Sequence, residues 1–464
     1  MNRSNDGTMG TLNSIAGGRE YLSGEPTPVA GKKPPVLFAT GSSGGTIAAA
    51  RNLGAAGVRV GVISTDPFTA SAWSRSVARS YSGPPEKDSE RFLERLLQIG
   101  AAEPGQVLLA TSDQTAWLYT LNADLLKQYF LLSQASIDSM RKLLDKQLFT
   151  EAVIKAGLTV LPSWESRSLR ELIELAPTLP YPILIKPRTH VHRLRNDKGL
   201  VAHSATELID LYRRIIGRET FSAENEYLPD ASLPVLQQFV DEPNEGVYSV
   251  SGYMDRSGKH FVTRIGTKIF QRSRPAGVGI CFESRRADPA LSAAVYKLCK
   301  ELNYFGIFEV EFIRFAGNWA AIDFNARLFN QVGMDIRRGM PLPLFAYLEA
   351  SGQTNALHEA IAKSNALDQD FPVVFYDSFT LRAILVAKTL TGRISLKERS
   401  KWKAWTKEHA SHAVDFAMDS KDRMPSVIHA LSELYLGIKA FPRFLESTPR
   451  AVPDTELAVA RVGQ

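Results

Sequence analysis

Residues 308–327 read FEVEFIRFAGNWAAIDFNAR, and the rest of the chain is organised around them. Two short apolar runs, Val310-Glu311-Phe312-Ile313 and Trp319-Ala320-Ala321-Ile322, flank the turn Ala316-Gly317-Asn318, which is the pattern of a β-hairpin. Glu311, Asp323 and Asn325 sit on this ribbon. Side chains alternate faces along a strand, so Asp323 and Asn325 share one. With Glu311 facing the same way, the hairpin presents a hard-oxygen cage of the kind Mg²⁺ takes with nucleotide phosphates. Arg327 follows at the next same-face position, placed to hold a phosphoryl or acyl-phosphate oxygen. The plain alternative is a solvated strand face with ordinary charges. Against it, Asp and Asn are poor strand formers, and here they interrupt apolar surroundings.

The totals narrow the function classes. The 464 residues are too many for one small core and imply two to four domains or subdomains. Apolar content is that of a globular protein. The net charge of +6, from 55 basic and 49 acidic residues, is a mild bias and no nucleic-acid signature. It suits an anionic small molecule. Two cysteines, Cys281 and Cys299, make no disulfide framework and favour a reducing, cytoplasmic setting. No apolar run reaches transmembrane length. Asp6, Glu20 and Glu25 argue against a transit peptide.

Residues 1–33 are rich in Gly, Ser, Thr and Pro and read as a disordered leader. Val36-Leu37-Phe38-Ala39 is a buried strand, Gly41 to Gly45 a turn, and a helix runs from Thr46 to a stop at Gly57. Residues 58–63 form the next strand, so a βαβ unit and a parallel sheet are expected. The glycine turn could cradle phosphate, but a tight strand-to-helix turn needs glycine anyway, and that reading is preferred. Asp66 reads as a loop aspartate. A helix over about 90–100 and a strand from Val107 lead to Ser112-Asp113, where a doubly wound sheet places ligand contacts. This block ends near Ser133.

Residues 136–157 read as a two-helix region, in which the stretch 140–148 carries Asp145-Lys146. A new fold starts beyond Gly157. In Ile183-Leu184-Ile185-Lys186-Pro187 a lysine lies behind apolar neighbours, poorly solvated unless an anion meets it, and Lys186 is the preferred phosphate ligand. The alternative is a snorkelling edge lysine. Residues 189–198 make a cationic loop able to close over triphosphate, with His190 and His192 too isolated for a zinc site. Residues 236–240 are a strand, and 247–254 with 259–265 a hairpin. Lys268, Arg272 and Arg274 lead a flexible cationic loop suited to a carboxylate-bearing substrate, and Lys268 is also placed with the nucleotide-binding residues. Arg337 and Arg338 are further candidates for the substrate. Beyond Pro341 the signals weaken: residues 342–349 and 356–362 read as helices, and 425–444 as a terminal amphipathic helix. Residues 393–409 hold six basic and two acidic residues with Trp402 and Trp405 between them, read as a basic exposed face with both tryptophans packed inward.

The order of these pieces resembles the ATP-grasp superfamily, in particular the carboxylate–amine ligases and the carbamoyl-phosphate synthase large-chain-like enzymes. The pieces are a strand-ending lysine, a cationic loop, an apolar hinge strand, an acidic residue, and then E…D-x-N-x-R on a hairpin. The resemblance spans about 35–350. It implies an α/β and α+β fold: a doubly wound parallel sheet (34–134), then a two-subdomain ATP-grasp fold (135–350), with a lysine-bearing part at about 158–240 and a metal-bearing part at about 241–350. A mostly helical C-terminal extension (351–464) follows. It implies ATP and Mg²⁺ (or Mn²⁺), with Lys146 and Lys186 as nucleotide lysines. Gln238, Phe239 and Val240 become the adenine hinge and Glu245 the ribose contact. Glu311, Asp323 and Asn325 become metal ligands, and Arg327 steadies the acyl phosphate. The sequence departs from the family in its glycine-free loop at 189–198, in Asp323 where glutamate is commoner, and in Gln238 where an acid often sits.

The expected chemistry is amide formation from a carboxylate and an amine through an acyl phosphate, with release of ADP and phosphate. The alternatives are activation of bicarbonate, as in carboxylases or carbamoyl-phosphate synthesis, and a regulatory module that binds ATP without turnover. The expected partners are small-molecule carboxylate and amine substrates, with no nucleic acid and no integral membrane segment, and a homodimer is among the expectations.

Overall fold

The computed structural model describes residues 33–39, 44–191, 199–216, 227–240, 246–272, 277–367 and 371–446, with side chains of the last helix as far as Gly437. The expected leader, most of the glycine turn, most of the cationic loop, Glu245 and Arg274 lie outside the described residues.

The first sheet has five parallel strands in the order β3-β2-β1-β4-β5: β1 (Val36–Phe38), β2 (Val60–Ser64), β3 (Val77–Ser82), β4 (Gln106–Leu109) and β5 (Phe130–Leu131). β1 is fully buried, as expected of a central parallel strand covered on both faces. The Gly44–Ala55 helix covers one face. Gly45 packs so closely that a Cβ there would collide with the Phe329 carbonyl oxygen, and a Cβ on Gly44 would strike the Phe416 ring. These two glycines therefore serve close approach of chain to chain, in line with the structural reading of the turn. Asp66 caps its own turn, accepting the Phe68 N–H at 2.7 Å.

The second sheet has four antiparallel strands in the order β6-β9-β7-β8: β6 (Ser163–Glu165), β7 (Ile183–Pro187), β8 (Leu200–Ala202) and β9 (Pro234–Gln238). The Leu169–Leu175 and Ala205–Ile216 helices bury Leu172, Leu208, Leu211 and Tyr212 against Ile183, Ile185 and Leu236.

The third sheet has seven strands in the order β14-β13-β10-β11-β12-β15-β16. Its members are β10 (Val247–Met254), β11 (Phe261–Gln271), β12 (Gly279–Arg285), β13 (Gly306–Phe315), β14 (Asn318–Asn325), β15 (Val374–Tyr376) and β16 (Ala413–Asp415). The expected hairpin at 308–327 is β13–β14, with Ala316 (φ +48°) and Gly317 (φ +82°) in the turn. Phe308, Val310, Phe312 and Phe324 face the largest core cluster. The polar residues of the hairpin are thereby left on the other face.

The C-terminal segment carries helices where two were expected, Thr354–Asn365 and Met424–Glu446, and two more at Ser378–Leu390 and Leu396–Glu408. It also supplies β15 and β16, which extend the third sheet beyond β12. Neither strand was expected, because three residues are too few to show a period. Trp402 is buried and packs edge-on against Phe270, and Trp405 donates to Glu283 Oε1 at 2.9 Å. Both tryptophans thus face inward, and the basic residues stay outside.

Candidate active site

The metal-ligand candidates come from the hairpin register. Glu311 lies directly across from Asp323, and Glu309 across from Asn325, so all four side chains share one face. A bulge between Glu311 and Phe312 marks the point where the two strands change pairing. The structure therefore brings Glu311, Asp323 and Asn325 together.

Cations approach from three other segments. Asp145 caps the Lys146–Lys155 helix, its Oδ1 accepting the N–H groups of Gln147 (2.9 Å) and Leu148 (3.2 Å). Arg188, just past β7, donates to Asp145 Oδ2 at 2.7 Å, and the Lys146 N–H donates to the Arg188 carbonyl at 2.9 Å. These ties hold the helix start beside the end of β7, which places Lys146 and Lys186 in one neighbourhood. Lys146 Nζ donates to Asp323 Oδ1. Lys268 on β11 donates to Glu311 Oε1 at 3.0 Å. Lys186 Nζ donates to Gln237 Oε1 at 2.8 Å, and Gln237 is itself anchored on Ser163 Oγ at 3.1 Å.

Arg327 joins the hairpin to the first sheet. Its Nε donates to Asp113 Oδ1 at 3.0 Å and its Nη2 to Asn325 Oδ1 at 2.8 Å. Asp113 opens the Asp113–Leu121 helix beyond β4, where Ser112 supplies the cap and also donates to Glu86 Oε2 at 2.6 Å. The end of the parallel sheet singled out from sequence thus meets Arg327.

The electrostatics follow from these neighbours. Burial, aided by Lys146, holds the Lys186 ammonium down to about 7, with Asp323 opposing. Burial pushes the Asp323 carboxyl up, but Lys146, His190 and Lys186 outweigh it and hold the group well below the usual carboxylate range. For Lys268 burial favours the neutral form, yet Glu311 and Glu309 raise it above the ordinary lysine value. Arg327 behaves alike, raised by Asp113 and Glu309 against burial. Glu86 is raised by burial, with Ser112 and Arg327 opposing.

Two residues passed over in the sequence belong to this group. Glu309 is buried; it accepts from Ser249 Oγ and Gln331 Nε2 at Oε1 and from Asn325 Nδ2 (3.1 Å) at Oε2. It fixes the Asn325 amide so that the amide oxygen faces Arg327. Burial and then the neighbouring Glu311 push its carboxyl up to about 7. The signal was present, since Glu309 is two residues from Glu311 and so shares its face. Gln237 is the other, as the partner of Lys186.

The remaining candidates are placed as follows. The N–H groups of Gln238 and Phe239 are taken by the carbonyls of Pro162 (2.9 Å) and Pro182 (3.0 Å). A base edge at this hinge would therefore meet carbonyl oxygens or the Val240 amide. Arg272 pairs with Glu433 on the last helix, with Nη1 and Oε1 3.2 Å apart. Arg338 is buried, donating to the carbonyls of Ile265 (2.8 Å) and Arg285 (3.0 Å), so the structure assigns it to the frame and removes it from the substrate candidates.

Two carboxylates and a carboxamide oxygen are the hard donors that Mg²⁺ or Mn²⁺ prefers, and here Lys146, Lys268 and Arg327 stand on those oxygens. The donor set therefore fits such an ion. The lysines and Arg327 fit a polyanion.

No protein-family model matches the chain. Over 194 residues it is 28% identical to the carbamoyl phosphate synthase large chain of Clavibacter michiganensis, a match that spans 38% of this chain and only 17% of that relative. Among solved structures it is similar to the L-amino acid ligase of Bacillus licheniformis, with a TM-score of 0.57 and 14% identity over 74% of this chain and 79% of that one. It is also similar to the biotin carboxylase domain of the Hydrogenobacter thermophilus 2-oxoglutarate carboxylase, with a TM-score of 0.56 and 16% identity over 69% of this chain and 70% of that one. The chain thus has the ATP-grasp fold of these structures, and over part of its length it is similar in sequence to the carbamoyl phosphate synthase large chain.

Proposed function

We propose that the chain is an ATP-dependent carboxylate–amine ligase. The observation that carries this reading is the single face on which Glu311, Asp323 and Asn325 meet Lys146, Lys268 and Arg327, with Lys186 alongside. A carboxylate is a poor electrophile because its leaving group would be an oxide. Its oxygen attacks the γ-phosphorus of ATP, the bond to ADP breaks, and ADP leaves with the electron pair. The amine then attacks the acyl carbon, the carbon–oxygen bond to phosphate breaks, and the amine proton is lost. Phosphoryl transfer of this kind needs positioning and charge neutralisation more than a protein nucleophile. Lys146, Lys186 and Lys268 would face the phosphates, and Arg327 the acyl phosphate. Glu309 would hold Asn325 in place. Mg²⁺ or Mn²⁺ on Glu311, Asp323 and Asn325 would supply the remaining neutralisation when bound. The hinge at 238–240 would take the adenine, and Glu245 the ribose.

Bicarbonate as the activated acid is the second reading. It is supported by the sequence match to the carbamoyl phosphate synthase large chain and by a similar carboxylase domain whose structure contains MgADP and bicarbonate. Among the described residues no helix is long and apolar enough to cross a membrane. Cytoplasmic residence and a homodimer belong to the same proposal, the latter supported by the dimer form of that carboxylase domain.

The test is a screen of carboxylic acids with ATP and hydroxylamine. A ligase gives hydroxamate and ADP with at least one acid. Release of ADP that depends on bicarbonate alone favours the second reading. Binding of ATP with neither hydroxamate nor ADP overturns both.

A further inference from the structure

The turn between β10 and β11 lies about 20 Å along the strand from Ser249, which is opposite Glu311. It carries Asp255, 3% exposed, and His260. The Thr354–Asn365 helix lays His358 against them. Asp255 Oδ2 and His358 Nε2 are 3.2 Å apart, and the rings of His260 and His358 stack with centroids 3.6 Å apart. One ligand atom from each of the three residues lies within 4.8 Å of the other two. The carboxylate is held in place: Oδ1 accepts the N–H groups of Lys259 (3.0 Å) and His260 (2.9 Å), and Oδ2 accepts Ser257 Oγ (2.6 Å).

We propose that Asp255, His260 and His358 form a binding site for a divalent transition metal of the zinc type, which pins the turn to the Thr354–Asn365 helix. Two imidazole nitrogens and one carboxylate oxygen are a borderline donor set, suited to Zn²⁺, Co²⁺ or Ni²⁺ and poorly suited to Mg²⁺. Both histidines are partly exposed, so an ion can enter and water can complete a four-coordinate shell. The two rings have to tilt out of their stack to aim at a common ion, a rotation about side-chain torsions that their exposure permits. The competing account is a capped turn with a histidine–aspartate hydrogen bond and no ion.

The site shares no residue with the hairpin of Glu311 and Asp323, so it stands or falls apart from the ligase reading. The full chain is stripped with chelator, freed of it, and titrated with Zn²⁺ and Co²⁺ in excess Mg²⁺, which occupies hard-oxygen sites. The expected result is saturable one-to-one binding, a raised unfolding midpoint with Zn²⁺, and visible absorption of a four-coordinate Co²⁺ centre. Loss of even an outer-shell partner typically weakens a metal site about 10–100-fold, so His358→Ala and His260→Ala should each lower affinity by roughly tenfold or more. Asp323→Ala should leave it unchanged. His358→Gln and His260→Gln repeat the test should an alanine variant fail to fold. Absent binding, or equal affinity in the histidine variants, overturns the proposal.

Discussion

Lys186→Met isolates the cost of placing an ammonium where Lys186 lies. The folded chain holds this group at about 7 instead of 10.5, mainly by burial. That difference sets a ceiling of about 5 kcal/mol, which local relaxation and water entry should reduce to about 1–3 kcal/mol. Between about pH 7 and 10.5 the unfolded chain binds the proton and the folded chain does not, so stability climbs with pH across that window. Below it both states are charged and the penalty is complete. Above it neither is charged and the penalty is gone. Methionine carries no such penalty at any pH. The lost bond to Gln237 removes about 1 kcal/mol of stability wherever the lysine is replaced, so the diagnostic is the slope and not the offset. Urea unfolding of both proteins at about pH 6.5 and about pH 9.5 should show the stability of the variant relative to the parent falling by about 1–3 kcal/mol between the two. A difference that stays constant or grows with pH would refute the account of a desolvated lysine. The same substitution should weaken ATP binding about 10–100-fold, because a charge-assisted phosphate contact is lost. Unchanged affinity in calorimetry would remove Lys186 from the nucleotide site.

Asp323→Ala should reduce turnover by at least about 100-fold with near-parental circular dichroism, and ADP release near the parental rate would count against its place in the site. Arg327→Ala should lower kcat by about 10–1000-fold while ATP affinity holds, and a variant that loses only ATP affinity would reassign it. Gly45→Ala should cost about 1–3 kcal/mol through the clash with Phe329, and a neutral result in urea unfolding would show that this contact is loose. Glu309→Gln should keep the fold and lower kcat through Asn325, with hydroxamate yield as the readout, and an unchanged yield would leave Glu309 without a positioning role.

The hairpin was legible because polar strand residues are rare enough to stand out against Val310, Phe312 and Ala321. Lys186 was legible for the same reason, as a charge behind apolar neighbours. Its partner was not, since a register one residue off exchanges Gln237 for Gln238 and nothing local fixes that register. Glu309 was hidden by its own burial: in sequence it reads as one more strand charge, and its three hydrogen-bond partners come from positions 16 to 60 residues away. Strands β15 and β16 were missed because each is only three residues long and its pairing is decided by the sheet it extends. Arg338 looked like a substrate ligand because carbonyl acceptors donated by distant segments leave no mark beside it.

Asp422 takes hydrogen bonds from Arg51 Nε (2.9 Å), Ser74 Oγ (2.6 Å) and the Arg75 N–H (3.0 Å). The parallel sheet near the start is therefore latched by a residue more than 340 positions later. At synthesis speeds of about 5–20 residues per second, that partner emerges from the ribosome roughly 20–75 s after Arg51. Until then the surface around Arg51, Ser74 and Gly44 has no cover of its own, so the early part of a nascent chain waits, incompletely sealed, for its last helix-bearing segment.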